Sequence, residues 1–251
     1  MVLAAGAGAR LAPLTRLLPK AMCPVDNRAL IDHALDRVGA EVPVSPEHVA
    51  VNVHHGRWVL EPHLSGRVHV SVEHAEPLGT AGALGRLRSW LDGRPVLVTN
   101  GDAWLPEPTP TSFCAGWDGE RMRLLCVRDP DRGDFGPLRH CGMALLPWSV
   151  VSTMSPEPAG LYETCWRSAW EGRSLDLVEH HGPFVDCGTP KEYLQANMAA
   201  SGGRSVIGED AHVSSRAHVE RSVVWPGARV GRSEKLVDAI RATYGVTVLV
   251  R

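Results

Sequence analysis

Short apolar runs alternate with helix-spaced segments along the first hundred residues, and this alternation constrains the fold more than any other feature. Strand patterns cover residues 1–5, 48–53, 68–72 and 95–99. Helical patterns cover residues 29–38, 57–64 and 79–91. Strands separated by helices form mostly parallel sheets, because each connection must cross over the sheet before the next strand begins. The sequence therefore predicts an α/β fold with a mixed, mostly parallel sheet flanked by helices.

The middle of the chain is less regular and ends at a glycine pair. Strands are predicted over residues 121–127 and 140–146, and a loop rich in proline and glycine is predicted over residues 105–120. Helices are predicted over residues 161–170 and 189–200. Ser201-Gly202-Gly203 then breaks the pattern. We therefore expect a first domain of residues 1–200 and a second segment of residues 201–251.

A weak six-residue repeat begins after this break. The aliphatic residues that carry it are Ile207, Val213, Val219, Val224 and Val230, with a one-residue slip before Val224. Such spacing is typical of a left-handed parallel β-helix, here of about four rungs. A helix over residues 233–244 and a strand over residues 246–250 are predicted to follow. The repeat is too short for an acetyltransferase domain, so we interpret it as a structural or oligomerisation element.

Composition excludes several classes of protein. The chain has 26 basic and 28 acidic residues, a balance without the positive charge that nucleic acid or an anionic membrane surface attracts. Its apolar runs stay shorter than the roughly 18 residues of a transmembrane helix. The six cysteines form no C-x-x-C pair, which argues against a zinc ribbon or a disulfide framework. We expect a cytoplasmic protein with reduced thiols.

Lysine is rare in this chain. Only Lys20, Lys191 and Lys235 stand among 23 arginines. Such a bias suggests that arginine fills positions where only positive charge is needed. A lysine that remains is therefore a better functional candidate than usual.

The first strand opens into a glycine-rich string, LAAGAGARLAPLTRLLPK, over residues 3–20. It lacks the Gly-Lys-Ser/Thr of a P-loop, and Leu11 replaces the third glycine of a dinucleotide fingerprint. Glycines directly after a strand still let backbone amides approach phosphate closely. Arg10 supplies a fork for two phosphate oxygens and Lys20 a compact point charge. The string therefore predicts a phosphate-binding site.

This string resembles the signature of sugar-1-phosphate nucleotidyltransferases, L-A-A-G-x-G-x-R-L-x-P-L-T followed by P-K and P-V. The matching parts are residues 3–15, 19–20 and 24–25. The segments EPLGTAGAL (76–84), NGD (100–102) and FVDCGTP (184–190) are similar to the family's nucleobase and two metal motifs. The resemblance spans nearly all of the first 200 residues. It implies a Rossmann-like, GT-A-like fold and fits a β-helical tail.

The resemblance implies a role for each matching residue. Arg10 and Lys20 would be catalytic, and Asp102 and Asp186 would bind Mg²⁺. The nucleotide-binding residues would be Leu3, Ala4, Ala5, Gly6, Gly8, Glu76, Gly79, Thr80, Asn100 and Gly101. Independently of the family, ligands of parallel sheets bind at the carboxyl ends of strands, and Mg²⁺ prefers carboxylates together with substrate phosphates.

The implied substrates are an NTP and a sugar 1-phosphate. An oxygen of the sugar phosphate would attack the α-phosphorus, and pyrophosphate would leave. This oxygen is already ionised at neutral pH, so catalysis needs positioning and charge neutralisation rather than a general base. We expect no nucleic-acid or membrane partner, and a homo-oligomer is compatible with the tail.

The chain departs from the family pattern at one lysine. Many members contact the sugar phosphate with a second lysine, and none occurs here between Lys20 and Lys191. Candidate substitutes are Arg128, Arg132 and Arg139. The stretch RGDFG (132–136) instead resembles a segment of N-acetylmuramate-1-phosphate uridylyltransferases. That resemblance implies a sugar contact for Asp134 and places Gly142 beneath the sugar.

The sequence leaves more than one alternative for the nucleobase of the NTP and for the phosphate that accepts the NMP group. GTAGAL (79–84) and VWPG (224–227) are similar to mannose-1-phosphate guanylyltransferases, which favours GTP. The alternatives are a uridylyltransferase or thymidylyltransferase acting on another sugar or cyclitol phosphate, and a cytidylyltransferase acting on an alcohol phosphate such as phosphocholine. The missing lysine also raises the alternative of a non-catalytic regulatory homologue that binds NDP-sugar.

Overall fold

The computed structural model describes residues 1–106 and 113–250, so the predicted loop over 105–120 lies partly outside the described residues. Within these ranges, no helix combines the length and the apolar character needed to cross a membrane. The chain forms two compact units, each built from three segments. Unit 1 comprises Met1–Gly6, Ala34–Gly101 and Leu105–Phe184, and unit 2 comprises Ala7–His33, Asp102–Trp104 and Val185–Arg251.

The described residues contain short strands throughout and a few helices of one to three turns. The strands are β1 (Val2–Leu3), β2 (Pro24–Val25), β3 (Arg28–Ala29), β4 (Ala50–Val53), β5 (His69–Val72), β6 (Val96–Asn100), β7 (Ala103–Trp104), β8 (Arg123–Arg128), β9 (Leu138–Leu146), β10 (Asp176–Glu179), β11 (Val185–Asp186), β12 (Val206–Ile207), β13 (His212–Val213), β14 (His218–Glu220), β15 (Val223–Val224), β16 (Arg229–Val230), β17 (Lys235–Val237), β18 (Ala239–Arg241) and β19 (Thr247–Leu249). The α-helices are α1 (Leu30–Gly39), α2 (Arg57–Leu64), α3 (Gly79–Arg86), α4 (Arg88–Leu91), α5 (Trp148–Val151), α6 (Arg167–Glu171) and α7 (Pro190–Ala200). A π-helical turn, Tyr162–Trp166, precedes α6, and 3₁₀ turns lie at Ala9–Leu11, Leu14–Arg16, Lys20–Met22 and Thr243–Gly245.

A seven-stranded mixed sheet forms the centre of unit 1, in the order β10-β8-β9-β6-β1-β4-β5. Strand β9 runs antiparallel to both of its neighbours, and the other pairs are parallel. Strands β1, β4 and β6 are mostly buried, as expected of parallel strands covered on both faces. The predicted mixed, mostly parallel sheet flanked by helices is thereby confirmed.

The helix predicted over residues 79–91 is divided in two at Leu87. Leu87 links α3 to α4, and its backbone N–H is hydrogen-bonded to carbonyls of the last turn of α3. The apolar side chains Leu84, Leu87 and Leu91 are all buried in one core cluster of unit 1. The apolar spacing therefore predicted the buried face correctly, although the helix axis is interrupted.

Unit 2 has a core of its own. Leu11 and Leu14 pack with Tyr193 of α7 and with Trp225 and Ile240 of the tail in a single apolar cluster. Helix α7 begins as predicted, with Pro190 in its first turn and Thr189 as the N-cap that accepts a hydrogen bond from the backbone N–H of Glu192. Trp225 Nε1 donates to Tyr193 Oη at 3.0 Å, and Tyr193 Oη donates to the carbonyl of Pro24.

The tail is β-helix-like, and its strands repeat every 17 residues. Val206 pairs with Val223, which in turn pairs with Ile240, all in parallel register. The repeat extends further than the four rungs predicted, because β17 and β18 continue it.

The prediction of a helix over residues 233–244 is wrong. This stretch contains β17 and β18, and Ser233 and Asp238 both have positive φ angles, which a helix does not tolerate. Leu236 and Ile240 lie four residues apart and so imitate helical spacing. Their true partners are Val219 and Val223, each 17 residues earlier.

The compact units combine segments that are distant in the sequence, and the domain boundary expected at residue 200 stays a prediction. The tail shares unit 2 with Ala7–His33, which stands near the start of the chain. Short-range patterns mark where a segment ends, but they do not reveal which distant segment it packs against.

Candidate active site

Four charged side chains meet in unit 2, and we call them the ionic cluster: Arg10, Lys20, Asp102 and Asp186. Lys20 Nζ lies 2.7 Å from Asp102 Oδ2 and 3.4 Å from Asp186 Oδ1. Arg10 Nη2 lies 3.8 Å from Asp186 Oδ2. Both predicted catalytic residues and both predicted metal ligands are therefore brought to one place.

Pairing between two short strands explains why the aspartates converge. Strands β7 and β11 run antiparallel, with Val185 opposite Trp104 and Asp186 opposite Ala103. Asp102 immediately precedes Ala103 in the chain, so this register sets the two carboxylates side by side. Because the two aspartates stand far apart in the sequence, this pairing is invisible to local patterns.

Two glycines make room for the cations of the cluster. A Cβ on Gly8 would lie 2.8 Å from Lys20 Cβ and 2.9 Å from Thr15 Cγ2, and Gly8 has a positive φ of 60°. A Cβ on Gly188 would lie 2.9 Å from Arg10 Nη2. The glycine of the D-x-G-T segment thus lets the guanidinium approach Asp186. No role was predicted for Gly188 itself, although it stands in the D-x-G-T motif.

Lys20 is buried, whereas Arg10 projects outward. The exposed fraction is 8% for the Lys20 side chain and 68% for that of Arg10. Burial lowers the pKa of Lys20, but its attraction to Asp102, the hydrogen bond that it donates to Asp102 and its attraction to Asp186 outweigh this effect and raise the pKa overall. Lys20 is therefore held as a fixed positive charge.

The carboxylates of the cluster fit the needs of a hard cation. Lys20 contacts one oxygen of each aspartate, and the aspartate side chains keep exposed fractions of 35% and 24%. Among the described residues, no group of three or more His, Cys, Asp or Glu side chains could hold a metal. Mg²⁺ characteristically takes one or two carboxylates and completes its shell with substrate phosphates and water. The pair of aspartates matches that donor set.

Unit 1 contains a cavity of about 200 Å³ that gathers another group of predicted residues. Leu3, Thr80, Asn100 and Gly142 all line it. Its remaining lining residues are Val98, His140, Ala144, Gly160, Leu161, Tyr162, Glu163 and Trp166. Gly142 has a φ of 93°, and a Cβ there would lie 3.4 Å from Asn100 Cβ. The cavity thus joins residues predicted for the nucleotide with one predicted for the sugar.

The glycines of the GTAGALG segment have a packing explanation. A Cβ would lie 2.5 Å from the carbonyl oxygen of Ala159 if placed on Gly79, and 2.2 Å from that of Glu157 if placed on Gly82. Thr80 Oγ1 accepts a hydrogen bond from Leu161 N at 2.7 Å. Helix α3 is thereby fixed closely to residues 155–161. The role of Gly79 beside a nucleobase stays a prediction.

The start of the glycine string is held by main-chain contacts in unit 1. Gly101 N donates to the carbonyl of Leu3 at 2.9 Å, and the carbonyl of Ala5 lies 3.0 Å from His55 Nδ1. Gly6 is open, since a Cβ there would meet nothing within 4 Å. These contacts align the first strand and the residues after it with the ends of β6 and β4.

For three buried polar residues near these segments, no role was predicted from the sequence. Arg37, 2% exposed, donates to Thr99 Oγ1 and to the carbonyls of Asn100 and Leu105, on either side of the segment that carries Asp102. Asn52 and Glu73 are also buried and hydrogen-bonded to each other. A lone asparagine inside the apolar run HVAVNV was the available signal for one of them.

Two predicted contact residues lie at exposed positions. Glu76 is exposed in the loop before α3. Asp134 is exposed in the β8–β9 turn, and its Oδ2 accepts a hydrogen bond from His140 N at 2.9 Å. Phe135 beside it is buried against the rings of Tyr162, Trp166 and Trp170. The G-D-F segment therefore has a structural role in this turn, and a sugar contact by Asp134 stays a prediction.

The three arginines considered as lysine substitutes differ in environment. Arg128 and Arg132 are exposed near the β8–β9 turn. Arg139 is partly buried, with Nη1 3.6 Å from Asp129 Oδ2 and its guanidinium 5.6 Å from the ring centre of Phe184. Arg128 and Arg132 are therefore the more exposed to solvent.

Comparison with known proteins identifies the family. The family model described as MobA-like NTP transferase domain matches residues 1–213. An N-acetylmuramate α-1-phosphate uridylyltransferase of Caulobacter vibrioides is 31% identical over 231 residues, which cover 78% of this chain and 94% of that protein. A mannose-1-phosphate guanyltransferase of Schizosaccharomyces pombe is 24% identical over 94% of this chain and 73% of its own length.

Solved structures agree on the fold. A protein from Thermus thermophilus, described as a mannose-1-phosphate geranyltransferase, superimposes with a TM-score of 0.73 at 16% identity. The superposition covers 99% of this chain and 93% of that one. Since the family model spans most of the sequence, the chain belongs to the nucleotidyltransferase family with a MobA-like NTP transferase domain.

Proposed function

We propose that the protein transfers an NMP group from an NTP to a sugar 1-phosphate and releases pyrophosphate, with Mg²⁺ as cofactor. The observation that carries the proposal is the ionic cluster, in which each cation lies within 4 Å of a carboxylate oxygen. The same four residues are those that the family signature marks as catalytic and metal-binding. The relatives named as sugar-1-phosphate nucleotidyltransferases give further support.

The reaction is a displacement at the α-phosphorus. An oxygen of the sugar phosphate forms a bond to this phosphorus, and the bond from the α-phosphorus to the oxygen that bridges to the β-phosphate breaks. Both electrons of the broken bond leave with pyrophosphate. Because the attacking phosphate oxygen is already ionised at neutral pH, no proton has to be removed from the nucleophile. The chain must therefore align two anionic reactants and offset their mutual repulsion.

The two cations have distinct parts in this proposal. Arg10 is the most exposed member of the cluster, and its planar fork suits the β- and γ-phosphates that become the leaving group. Lys20 has three N–H donors, of which the two aspartates engage two, so the third would serve a phosphate oxygen. Asp102 and Asp186 fix the position of Lys20 and would hold Mg²⁺. When bound, Mg²⁺ would supply additional charge neutralisation at the phosphates.

The cavity of unit 1 would hold the sugar. Its volume of about 200 Å³ is below the roughly 300–1,000 Å³ of sites that enclose drug-sized ligands, which suits a monosaccharide. Aromatic side chains, Tyr162 and Trp166, offer apolar surface for a sugar ring, and the carboxylate of Glu163 offers acceptors for hydroxyl groups. The glycine at position 142 leaves space that a side chain would fill.

Two observations favour different bases. The segment GTAGAL and the tail segment VWPG are similar to those of guanylyltransferases, which favours GTP. The Caulobacter relative that matches over nearly its whole length is named as a uridylyltransferase, which makes UTP the second candidate. GTP is therefore the first candidate substrate and UTP the second, and the assay includes both.

Pyrophosphate release tests the proposal directly. The purified protein is supplied with Mg²⁺, one of GTP, UTP, TTP, CTP or ATP, and one of a panel of sugar 1-phosphates. We expect release with at least one pair, a requirement for both substrates, and an NDP-sugar product by mass spectrometry. The Asp102→Asn variant should remain inactive with the same pair.

The assay also separates the alternatives. Release with CTP and phosphocholine, but with no sugar phosphate, would replace the proposal with a cytidylyltransferase acting on an alcohol phosphate. Tight binding of an NDP-sugar without release from any pair would replace it with a regulatory homologue. Because a mere binder does not need the complete ionic cluster, we expect release with a sugar 1-phosphate.

A further inference from the structure

We propose that Asn52 and Glu73 are positioning residues that hold the two nucleotide-binding segments of unit 1 in register. This inference rests on the proposed function, which assigns the nucleotide to the segments beginning at Leu3 and at Glu76. Asn52 is the third residue of β4, and Glu73 follows the last residue of β5. They occur in neither motif, and their side chains connect the two.

A continuous chain of hydrogen bonds runs through these side chains. Ala4 N donates to Asn52 Oδ1 at 3.0 Å, and Asn52 Nδ2 donates to Glu73 Oε1 at 2.8 Å. The other carboxylate oxygen, Glu73 Oε2, accepts from Leu78 N at 2.8 Å. We call this chain the amide relay. It begins one residue after Leu3 and ends one residue before Gly79.

Burial makes the relay stiff. The exposed fraction is 2% for Asn52 and 1% for Glu73. A buried polar group that loses its partner cannot replace it with water, so each bond of the relay is costly to break. The relay therefore fixes the position of the Ala4 amide relative to that of Leu78.

The histidine pair after β4 strengthens the same connection. His54 Nδ1 lies 2.7 Å from the carbonyl of Glu73, and His55 Nδ1 lies 3.0 Å from the carbonyl of Ala5. Both ring nitrogens act as donors in these contacts, because a carbonyl oxygen can only accept. The end of β4 thus contacts the first segment twice, at Ala4 and Ala5, and contacts Glu73 twice. The histidine contacts do not involve the side chains of Asn52 and Glu73.

Each hydrogen bond of the amide relay has a defined donor and a defined acceptor, and exchanging these roles between positions 52 and 73 tests the relay. At its centre one side chain donates and the other accepts, so Asn52→Asp alone opposes two carboxylates. Glu73→Gln alone provides an acceptor for only one of the two donors, Asn52 Nδ2 and Leu78 N, and sets its NH₂ group against the other. The double variant restores every bond. Its new carboxylate at position 52 accepts from Ala4 N and from the new amide at position 73, and the oxygen of that amide accepts from Leu78 N. The negative charge merely moves from one side chain to the other.

We therefore measure the KM for the NTP and for the sugar phosphate in the two single variants and in the double variant. Each single variant should raise the KM for the NTP about tenfold, the ratio expected when one buried hydrogen bond to an ordered segment is lost. The KM for the sugar phosphate should change less than the KM for the NTP. The double variant should regain most of the lost affinity for the NTP. Glu61→Gln, at a partly exposed glutamate paired with Arg57, is the matched control for the change in charge and should behave as wild type.

The outcomes separate this inference from the proposed function. Hydrogen exchange at the amides of Ala4 and Leu78 reports the relay even if no substrate pair is turned over. It should accelerate in each single variant and slow again in the double variant. Single variants with an unchanged KM for the NTP would overturn the positioning role. A double variant as impaired as the worse single variant, by both measurements, would overturn the relay itself.

Discussion

The ionic cluster of unit 2 and the buried polar side chains of unit 1 differ in their exposure and in the groups to which they bond. In the cluster, three of the four charged side chains keep between 24% and 68% of their surface exposed, and the charges face one another. In unit 1, Arg37, Asn52, Glu73 and Thr99 are almost fully buried and bond to backbone groups or to each other. Exposed ion pairs contribute little to folding, whereas buried polar groups that lose a partner are costly. The difference suggests that the cluster performs chemistry and that the buried set positions the main chain.

Replacing an aspartate of the cluster should give the largest effect. Asp102→Asn should lower kcat at least about 100-fold, because a preorganised charge at the reacting phosphates is lost. The melting temperature should stay close to that of wild type, since the carboxylate is partly exposed. Steady-state pyrophosphate release and thermal unfolding measure the two quantities. Asp238→Asn, which alters a surface partner of Arg221 in the same unit, is the control and should keep full activity.

Lys20→Arg should impair catalysis while preserving the charge. We expect kcat/KM to fall about 10- to 100-fold, because a planar fork does not replace a point charge between phosphates. The Lys20 side chain is only 8% exposed, and its Nζ lies 2.7 Å from Asp102 and 3.4 Å from Asp186, which leaves little room for a wider head group. Lys235→Arg, at an exposed position in the tail, should be neutral in the same assay. Equal activity of Lys20→Arg and wild type would show that the position requires only a cation.

In unit 1, Thr99→Val should affect stability instead of activity. The substitution removes the hydroxyl that accepts from Arg37 Nε and Nη2, and it should lower the free energy of unfolding by about 1–3 kcal/mol. Urea denaturation measures this change, with the exposed Thr153→Val as control. Activity per folded molecule should remain near that of wild type. A large loss of kcat at unchanged stability would break the proposed contrast between the two regions.

His140 provides a smaller, pH-dependent test in unit 1. Burial lowers the pKa of this histidine to about 4, although a hydrogen bond to the Met143 carbonyl and the carboxylate of Asp134 oppose the shift. An unfolded histidine titrates near 6.5, so the unfolded state binds more protons between about pH 6.5 and 4. The stability from neutral His140 is thus complete above about pH 6.5 and is lost as the pH falls toward 4.

The variant His140→Gln isolates this contribution. The difference in unfolding free energy between wild type and this variant should shrink by up to about 1.4 kcal/mol per pH unit below about pH 6.5. Urea denaturation at a series of pH values measures it. A difference that stays constant from about pH 7.5 to about pH 4.5 would contradict the lowered pKa.

Local patterns predicted much of the fold because secondary structure is largely encoded over short distances. The helix predicted over residues 57–64 matches α2 at both ends, and the strand predicted over 95–99 differs from β6 by one residue at each end. Residues 233–244 were misassigned because Leu236 and Ile240 have helical spacing but pair with residues 17 positions away. A repeat of this length matches neither the period of about 3.6 residues of a helix nor the period of about 2 residues of a strand.

The candidate site was predictable only where a motif carries it. Arg10, Lys20, Asp102 and Asp186 stand in strings specific enough to be recognised, and they do meet. Asn52, Glu73 and Arg37 stand outside those strings, and their importance depends on burial and on partners up to 68 positions distant. Spacing along the chain does not encode such contacts.

The interleaved order of the segments also bears on how the protein is made. Lys20 and Asp186 are 166 positions apart, and the core of unit 2 joins Leu11 and Leu14 to Trp225 and Ile240. Synthesis proceeds from the N-terminus, so the early segment Ala7–His33 must await partners that emerge more than 150 residues later. A nascent chain can thus form much of the unit 1 sheet while the ionic cluster of unit 2 is still incomplete. Enzymatic competence would then arrive only after residues 185–251 have left the ribosome.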